Sequence, residues 1–155
     1  FRSEFLTLTS GSGLLYHTFD KYGPIIQGLH TGRRNGALIS IGQGKALPYA
    51  LFNLQERGKM IIENGIEVYE GMIVGIHSRN NDLVVNPLKG KQLTNVRASG
   101  NDEAVTLTTP VQVTLEFALE FINDDELVEV TPKSLRIRKK FLKEHERTKA
   151  ARAAS

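Results

Sequence analysis

The densest set of groups able to meet a polyanion lies between Ser78 and Gly100. Arg79, Lys89, Lys91 and Arg97 carry positive charge, while Asn80, Asn81, Asn86, Gln92 and Asn95 offer paired donors and acceptors. Gly90 and Gly100 let a partner's backbone approach closely. One acid, Asp82, lies inside the segment, and no aromatic residue does. The chemistry on offer is therefore recognition of a backbone by charge and shape rather than base stacking. Taken on residues alone, a long polar segment of this kind has three readings: an RNA contact, a protein-binding loop, or a solvated insertion. A second basic stretch closes the chain. Residues 133–155 hold nine Lys/Arg against Glu144 and Glu146, a net +7, which leaves −4 on the first 132 residues of a chain whose total is +3. That stretch reads equally as a polyanion contact or as a solvated tail.

Other chemistries find less support. Gly42-Gln43-Gly44-Lys45 precedes a helical pattern, but a phosphate loop needs Gly where Ile39 stands and Ser or Thr where Ala46 stands, so a turn beside a helix start is the better account. His17, His30, His77 and His145 show no metal-ligand spacing, and no cysteine is present to supply a thiolate or a disulfide. His77 with Asp82 is a conceivable acid–base pair, although a histidine ending a strand is more often simply hydrogen-bonded. Asp124-Asp125-Glu126 lacks the spacing of a calcium loop and reads as a solvated cluster at a helix end. Ser10-Gly11-Ser12-Gly13 follows a helix, the wrong context for a nucleophile elbow.

The elements that must position the basic segment can be read from periodicity. Phe1, Phe5 and Leu8 mark one face of a short helix, and Leu14–Tyr22 alternates as a strand. Together they look like the last two elements of an α/β unit, and a chain opening on Phe1 reads as a piece of a larger protein. Residues 25–33 are aperiodic and read as a linker. A second domain, 34–140, then opens with a strand at Ala37–Ile41 and a helix over Ala46–Arg57, whose Leu47, Ala50, Leu51 and Leu54 share a face. Lys59–Glu63 and Ile66–Tyr69 around Asn64-Gly65 predict a hairpin, and Met72–His77 another strand. Short strands are expected at Leu83–Val85 and Ala104–Leu107. A helix over Thr114–Asn123 should turn Leu115, Ala118, Leu119 and Ile122 inward. Strands at Leu127–Val130 and Ser134–Arg138 precede a basic, exposed helical tail over 141–155. With 40% hydrophobic and 24% charged residues, no signal-peptide pattern and no apolar run near 18 residues, the composition is that of a folded, cytoplasmic protein.

Five stretches resemble the BipA/TypA translational GTPases. They are Phe5–Tyr16, Tyr49–Gly58, Glu67–Arg79, Asn86–Asn95 and Asp124–Pro132. The resemblance covers nearly the whole chain. It implies an α+β fold: residues 1–24 would finish a ferredoxin-like domain, and a β-rich carboxy-terminal domain with a few helices would follow. It also implies a ribosome-associated protein of the elongation-factor kind, with roles in stress response and large-subunit assembly, whose loop reaches ribosomal RNA and A-site tRNA. The matching contacts here would be Ser78, Arg79, Asn81, Asn86, Lys89, Lys91, Asn95 and Arg97, with Arg136, Arg138, Lys139 and Lys140 auxiliary. Nothing in the chain matches the family's GTP site, so GTP and magnesium would belong to a G domain elsewhere. This chain is expected to be a non-enzymatic monomer without a cofactor, a membrane contact or a small-molecule substrate. The alternative function is a protein-interaction module without direct RNA contact.

Overall fold

A computed structural model describes residues 5, 9–24, 33–91 and 106–154. The chain divides into two compact units, residues 1–30 and 31–155. In the first, the Thr9 N–H and hydroxyl both donate to the Phe5 carbonyl, at 3.0 and 2.8 Å, closing a helical turn. Ser10 and Gly11 then take left-handed conformations and redirect the chain. Leu14–Tyr22, expected as a strand, pairs with no described residue. It forms no regular element, and Leu14, Tyr16, Phe19 and Tyr22 are exposed. Alternation can mark the face a strand would bury, but only a neighbouring backbone makes the ladder.

The second unit is α+β and rich in short strands. Its centre is β1 (Ala37–Ser40), every residue of which is buried. A strand covered on both faces needs a continuous small or apolar run, and Ala-Leu-Ile-Ser supplies one, the Ser40 hydroxyl donating to the Gly42 carbonyl. β2 (Gly44–Lys45) leads to helix α1 (Pro48–Gln55), with Pro48 in the first turn, where its missing N–H is not needed. Ala50, Leu51 and Leu54 face the core, as their spacing predicts. β3 (Gly58–Met60), β4 (Glu67–Val68), β5 (Ile73–His77) and β6 (Leu83–Val85) follow. The four-stranded sheet runs β3-β5-β1-β6, with β6 parallel to β1 and the other neighbours antiparallel.

The hairpin expected around Asn64-Gly65 does not form. The turn is present, with Gly65 at φ 77°, but β3 pairs with β5 and β4 pairs with β2. Ile61 and Ile62 are both buried, so the chain leaves the alternation a hairpin arm requires. Helix α2 (Leu115–Phe121) starts at Thr114, whose hydroxyl accepts from the Phe117 N–H at 3.2 Å. Its buried face is also rotated from expectation. Ala118 and Phe121 are buried, while Leu115 and Leu119 are 44% and 60% exposed. Thr106 and Leu107 belong to no strand, and Ala104 and Val105 lie outside the described residues.

The two strands expected around Thr131-Pro132, β7 (Glu126–Val130) and β8 (Leu135–Lys139), pair as a hairpin, in register from Glu126 opposite Lys139 to Val130 opposite Leu135. It joins the start of β5 through the Met72–Arg138 bridge and a Lys139 N–H to Gly71 carbonyl bond. Helix α3 (Glu144–Ala154) closes the unit. Among the described residues no helix is long and apolar enough to cross a membrane.

Candidate nucleic-acid interface

The described part of the basic segment, 78–91, is fastened to the sheet along its length. At its start the Gly36 N–H donates to the Arg79 carbonyl at 2.7 Å, and the Asn35 amide donates to the His77 carbonyl at 2.9 Å. Gly36 is required for this approach, since a Cβ there would stand 2.0 Å from the Asn81 carbonyl oxygen. His77 is buried, and its Nδ1 lies 2.6 Å from that same oxygen. A carbonyl only accepts, so Nδ1 carries the proton. His77 is therefore a turn brace and not the partner of Asp82. Next, β6 pairs with β1. Pro87 is fully buried and its carbonyl accepts from the Leu47 N–H at 2.9 Å, while the Asn86 side chain accepts from the Leu88 N–H at 2.9 Å. Leu88 packs over the Gly42 and Gly44 turn. Lys89, Gly90 and Lys91 then emerge exposed.

Asp82, the segment's one acid, is partly exposed but its carboxylate is fully engaged. Its Oδ1 accepts from the Ala37 N–H at 2.8 Å and from Arg33 at 3.1 Å, and its Oδ2 lies 2.5 Å from Lys139 Nζ. Lys139 also reaches Asp125 at 2.7 Å and Glu126 at 2.8 Å. Arg33 grips Glu126 with both terminal nitrogens, at 2.5 and 2.7 Å. It also donates to the carbonyls of Asn35 and Phe121, and its guanidinium stands 4.3 Å above the Phe121 ring. Two cations thus meet three carboxylates, and Glu126 takes a further bond from the Asn123 N–H. Burial alone would raise the Asp82 carboxyl. The Lys139 bond, the Ala37 N–H and the charges of Lys139 and Arg33 outweigh it and hold the group below its ordinary value. Burial likewise works against the Lys139 ammonium, yet Asp125, Asp82 and Glu126 raise it above the usual lysine value. The cluster ties residue 33, the base of the basic segment, the end of α2 and both arms of the β7–β8 hairpin.

The expected contacts therefore separate. Ser78, Arg79, Asn81, Asn86, Lys89 and Lys91 are exposed on one anchored segment. Asn95 and Arg97 lie outside the described residues. Lys140 is exposed on the hairpin, whereas Arg136 and Arg138 are half-buried on its outer face beside Glu129, Arg138 Nε standing 2.8 Å from the carboxylate. The Tyr69 phenol donates to that carboxylate at 2.6 Å and is pushed well above its ordinary pKa by burial and then by Glu129. Lys139 drops out as a surface contact, being 2% exposed and held by carboxylates. Of the cluster expected to be solvated, Asp124 and Asp125 are exposed, Asp125 still reaching Lys139, whereas Glu126 is buried in the network. Arg33 was not singled out by its sequence context, because its partners lie 49 and 93 positions away.

Two clefts accompany these elements. One is lined by Glu70 and by residues of α3, the other by Gln55, Met60, Ile62 and Leu107 among others, and neither includes His77 or Asp82. No converging acid–base pair is assembled at that position. What the exposed segment offers is cations, amides and a hydroxyl on a fixed backbone.

An α+β domain with these strands and this anchored segment matches a known family model. Residues 35–144 fit the TypA/BipA C-terminal domain, and the chain belongs to that family. Several curated relatives share one name. The chain is 63% identical over 153 residues to the large ribosomal subunit assembly factor BipA of Escherichia coli K12, which covers 99% of this chain and 25% of that protein. It is 62% identical over 155 residues to the protein of that name in Haemophilus influenzae, covering 100% and 25%, and 63% identical over 147 residues to the one in Buchnera aphidicola, covering 95% and 24%. The chain thus spans about a quarter of the length of these relatives.

Proposed function

We propose that this chain is a ribosome-binding portion of a BipA/TypA-type translational GTPase, contacting ribosomal RNA and A-site tRNA through the basic segment that begins at Ser78. One observation carries the reading: the Asp82 carboxylate, about a third exposed at 35%, is taken up by Lys139, Arg33 and the Ala37 N–H, so the one acid of the segment is paired with cations outside it while Arg79, Lys89 and Lys91 stay exposed. In this reading Arg79, Lys89, Lys91 and Arg97 meet phosphates, while Ser78, Asn81, Asn86 and Asn95 bond sugar or backbone oxygens. Lys140 adds charge from the hairpin. The name shared by the relatives supports a role in large-subunit assembly, and the family resemblance adds stress response, a cytoplasmic setting and action as a monomer. GTP and magnesium serve a G domain outside this chain, which performs no catalysis itself.

The test uses the full-length protein in ribosome pelleting. Replacing Arg79, Lys89, Lys91 and Arg97 together by alanine should lower the ribosome-bound fraction several-fold with GTP hydrolysis of the free protein unchanged. Undiminished pelleting would reject the RNA-contacting role of these residues. Binding that persists and is insensitive to salt would favour the protein-interaction module instead.

A further inference from the structure

The outer strand β3 carries charge that the basic segment does not account for. Gly58 stands opposite His77 and Lys59 opposite Ile76. The pairing continues one residue further, where the Ser78 N–H donates to the Arg57 carbonyl at 2.9 Å. Side chains alternate along each strand and cross-strand partners share a face. Lys59 therefore projects from the face opposite the buried His77, and Arg57, in the turn just before β3, is held beside Ser78 by that bond; all three residues are exposed. The two strands are pressed together here, since a Cβ on Gly58 would meet the Ile76 carbonyl oxygen at 1.9 Å. Two cations, two positions apart where the chain enters β3, are thus anchored with a hydroxyl beside them. Arg79 follows directly, its carbonyl held by the Gly36 N–H. Among the described residues Arg57, Lys59 and Arg79 enter no ion pair, in contrast to Arg33, Arg138 and Lys139. Strand addition is disfavoured at this edge because the Met60 carbonyl already accepts from the Val111 N–H at 2.8 Å. The rim offers side chains to a partner, not an open ladder.

We infer that Arg57, Lys59 and Ser78 form a second phosphate-binding strip on the β3 rim, one that extends the RNA surface from Arg79 onto the sheet. The strip fits the sugar-phosphate backbone of a folded RNA, read by charge and spacing rather than by base identity. It rests on the RNA-binding reading above and adds Arg57 and Lys59 to it.

The experiment is fluorescence anisotropy of the 155-residue chain with a labelled RNA hairpin of about 16 base pairs, titrated between about 50 and 200 mM salt. The Arg57→Ala/Lys59→Ala variant should bind roughly tenfold more weakly at the low-salt end and give a log-log salt slope shallower by about 2. Its urea midpoint should match that of the parent chain. A charge-matched control, Lys21→Ala/Lys45→Ala, should keep the parental slope. If the Arg57/Lys59 variant keeps that slope while an Arg79/Lys89/Lys91 alanine variant loses it, the strip is refuted and the RNA reading stands. Equal losses in variant and control would also refute the strip, since net charge alone would then explain them. A parent chain without salt-dependent binding would overturn the RNA reading itself, and the strip with it.

Discussion

Replacing Arg33 by methionine should be among the most damaging single changes in the second unit. Arg33 is 7% exposed and Glu126 is fully buried, so solvent screens little of their paired bonds. The change also removes donors to Asp82, to Asn35 and to the Phe121 carbonyl, and the cation above the Phe121 ring. Breaking a buried pair from one side costs about 3–5 kcal/mol, because the remaining charge has lost its partner. Lys139 stays 2.8 Å from Glu126 and softens the loss, which argues for the lower half of that range. A domain's whole stability is about 5–15 kcal/mol. With a urea dependence near 2 kcal/mol per molar, the midpoint should fall by about 1.5–2 M. The double variant Arg33→Met/Glu126→Met removes the stranded carboxylate and should recover most of the loss, a coupling of at least about 2 kcal/mol. Urea titrations followed by circular dichroism on four chains complete the cycle. A single-variant cost below about 1 kcal/mol, or a double variant equal to the sum of the singles, would refute the claim that this pair anchors the fold.

Four further outcomes follow from the network, the Gly36 approach and the α2 cap. Asp82 is held below its ordinary pKa, so its contribution to stability is present above about pH 4 and lost as pH falls from there through the depressed value; Asp82→Asn should flatten that limb of a stability-versus-pH curve. Lys139 titrates above its ordinary value, so its contribution is complete below about pH 10.4 and lost as pH rises beyond; Lys139→Met should flatten the alkaline limb, and an unchanged limb would count against the network. Gly36→Ala, whose Cβ would sit 2.0 Å from the Asn81 oxygen, should cost about 1–3 kcal/mol and speed amide exchange at residue 36 and at Ala37, whose N–H groups bond the Arg79 carbonyl and Asp82, whereas Thr114→Ala should cost only about 1 kcal/mol and speed exchange in α2 alone.

Much of the second unit is written locally. The Ala37–Ile41 run, the Met72–His77 strand, the helix through Ala50, Leu51 and Leu54 and the last two strands all appear where residue pattern places them. Partner choice was less legible. Asn64-Gly65 encodes a turn, but the sequence does not say that β4 will pair with β2. The α2 face was misjudged because Leu115 and Leu119 are as apolar as the residues actually buried, and the stacked Phe117 and Phe121 decide the rotation. Within the basic segment charge was readable, but direction was not. Lys139 resembles its neighbours Arg138 and Lys140, and only the register that sets it opposite Glu126 reveals it as a buried counterion. That pairing could have been found by drawing the 126–139 hairpin and noting a glutamate facing a lysine at its open end. Arg33 left no such trace.

The central claim is that the segment from Ser78 presents cations to RNA while its one acid is paired with Lys139 and Arg33, and the salt dependence of RNA binding by the 155-residue chain tests it most directly. Four neutralised phosphates at Arg79, Lys89, Lys91 and Arg97 predict that their alanine variant binds with a log-log slope shallower than the parent's by about 3–4. A parent slope near zero, or a variant whose slope equals the parent's, would contradict it.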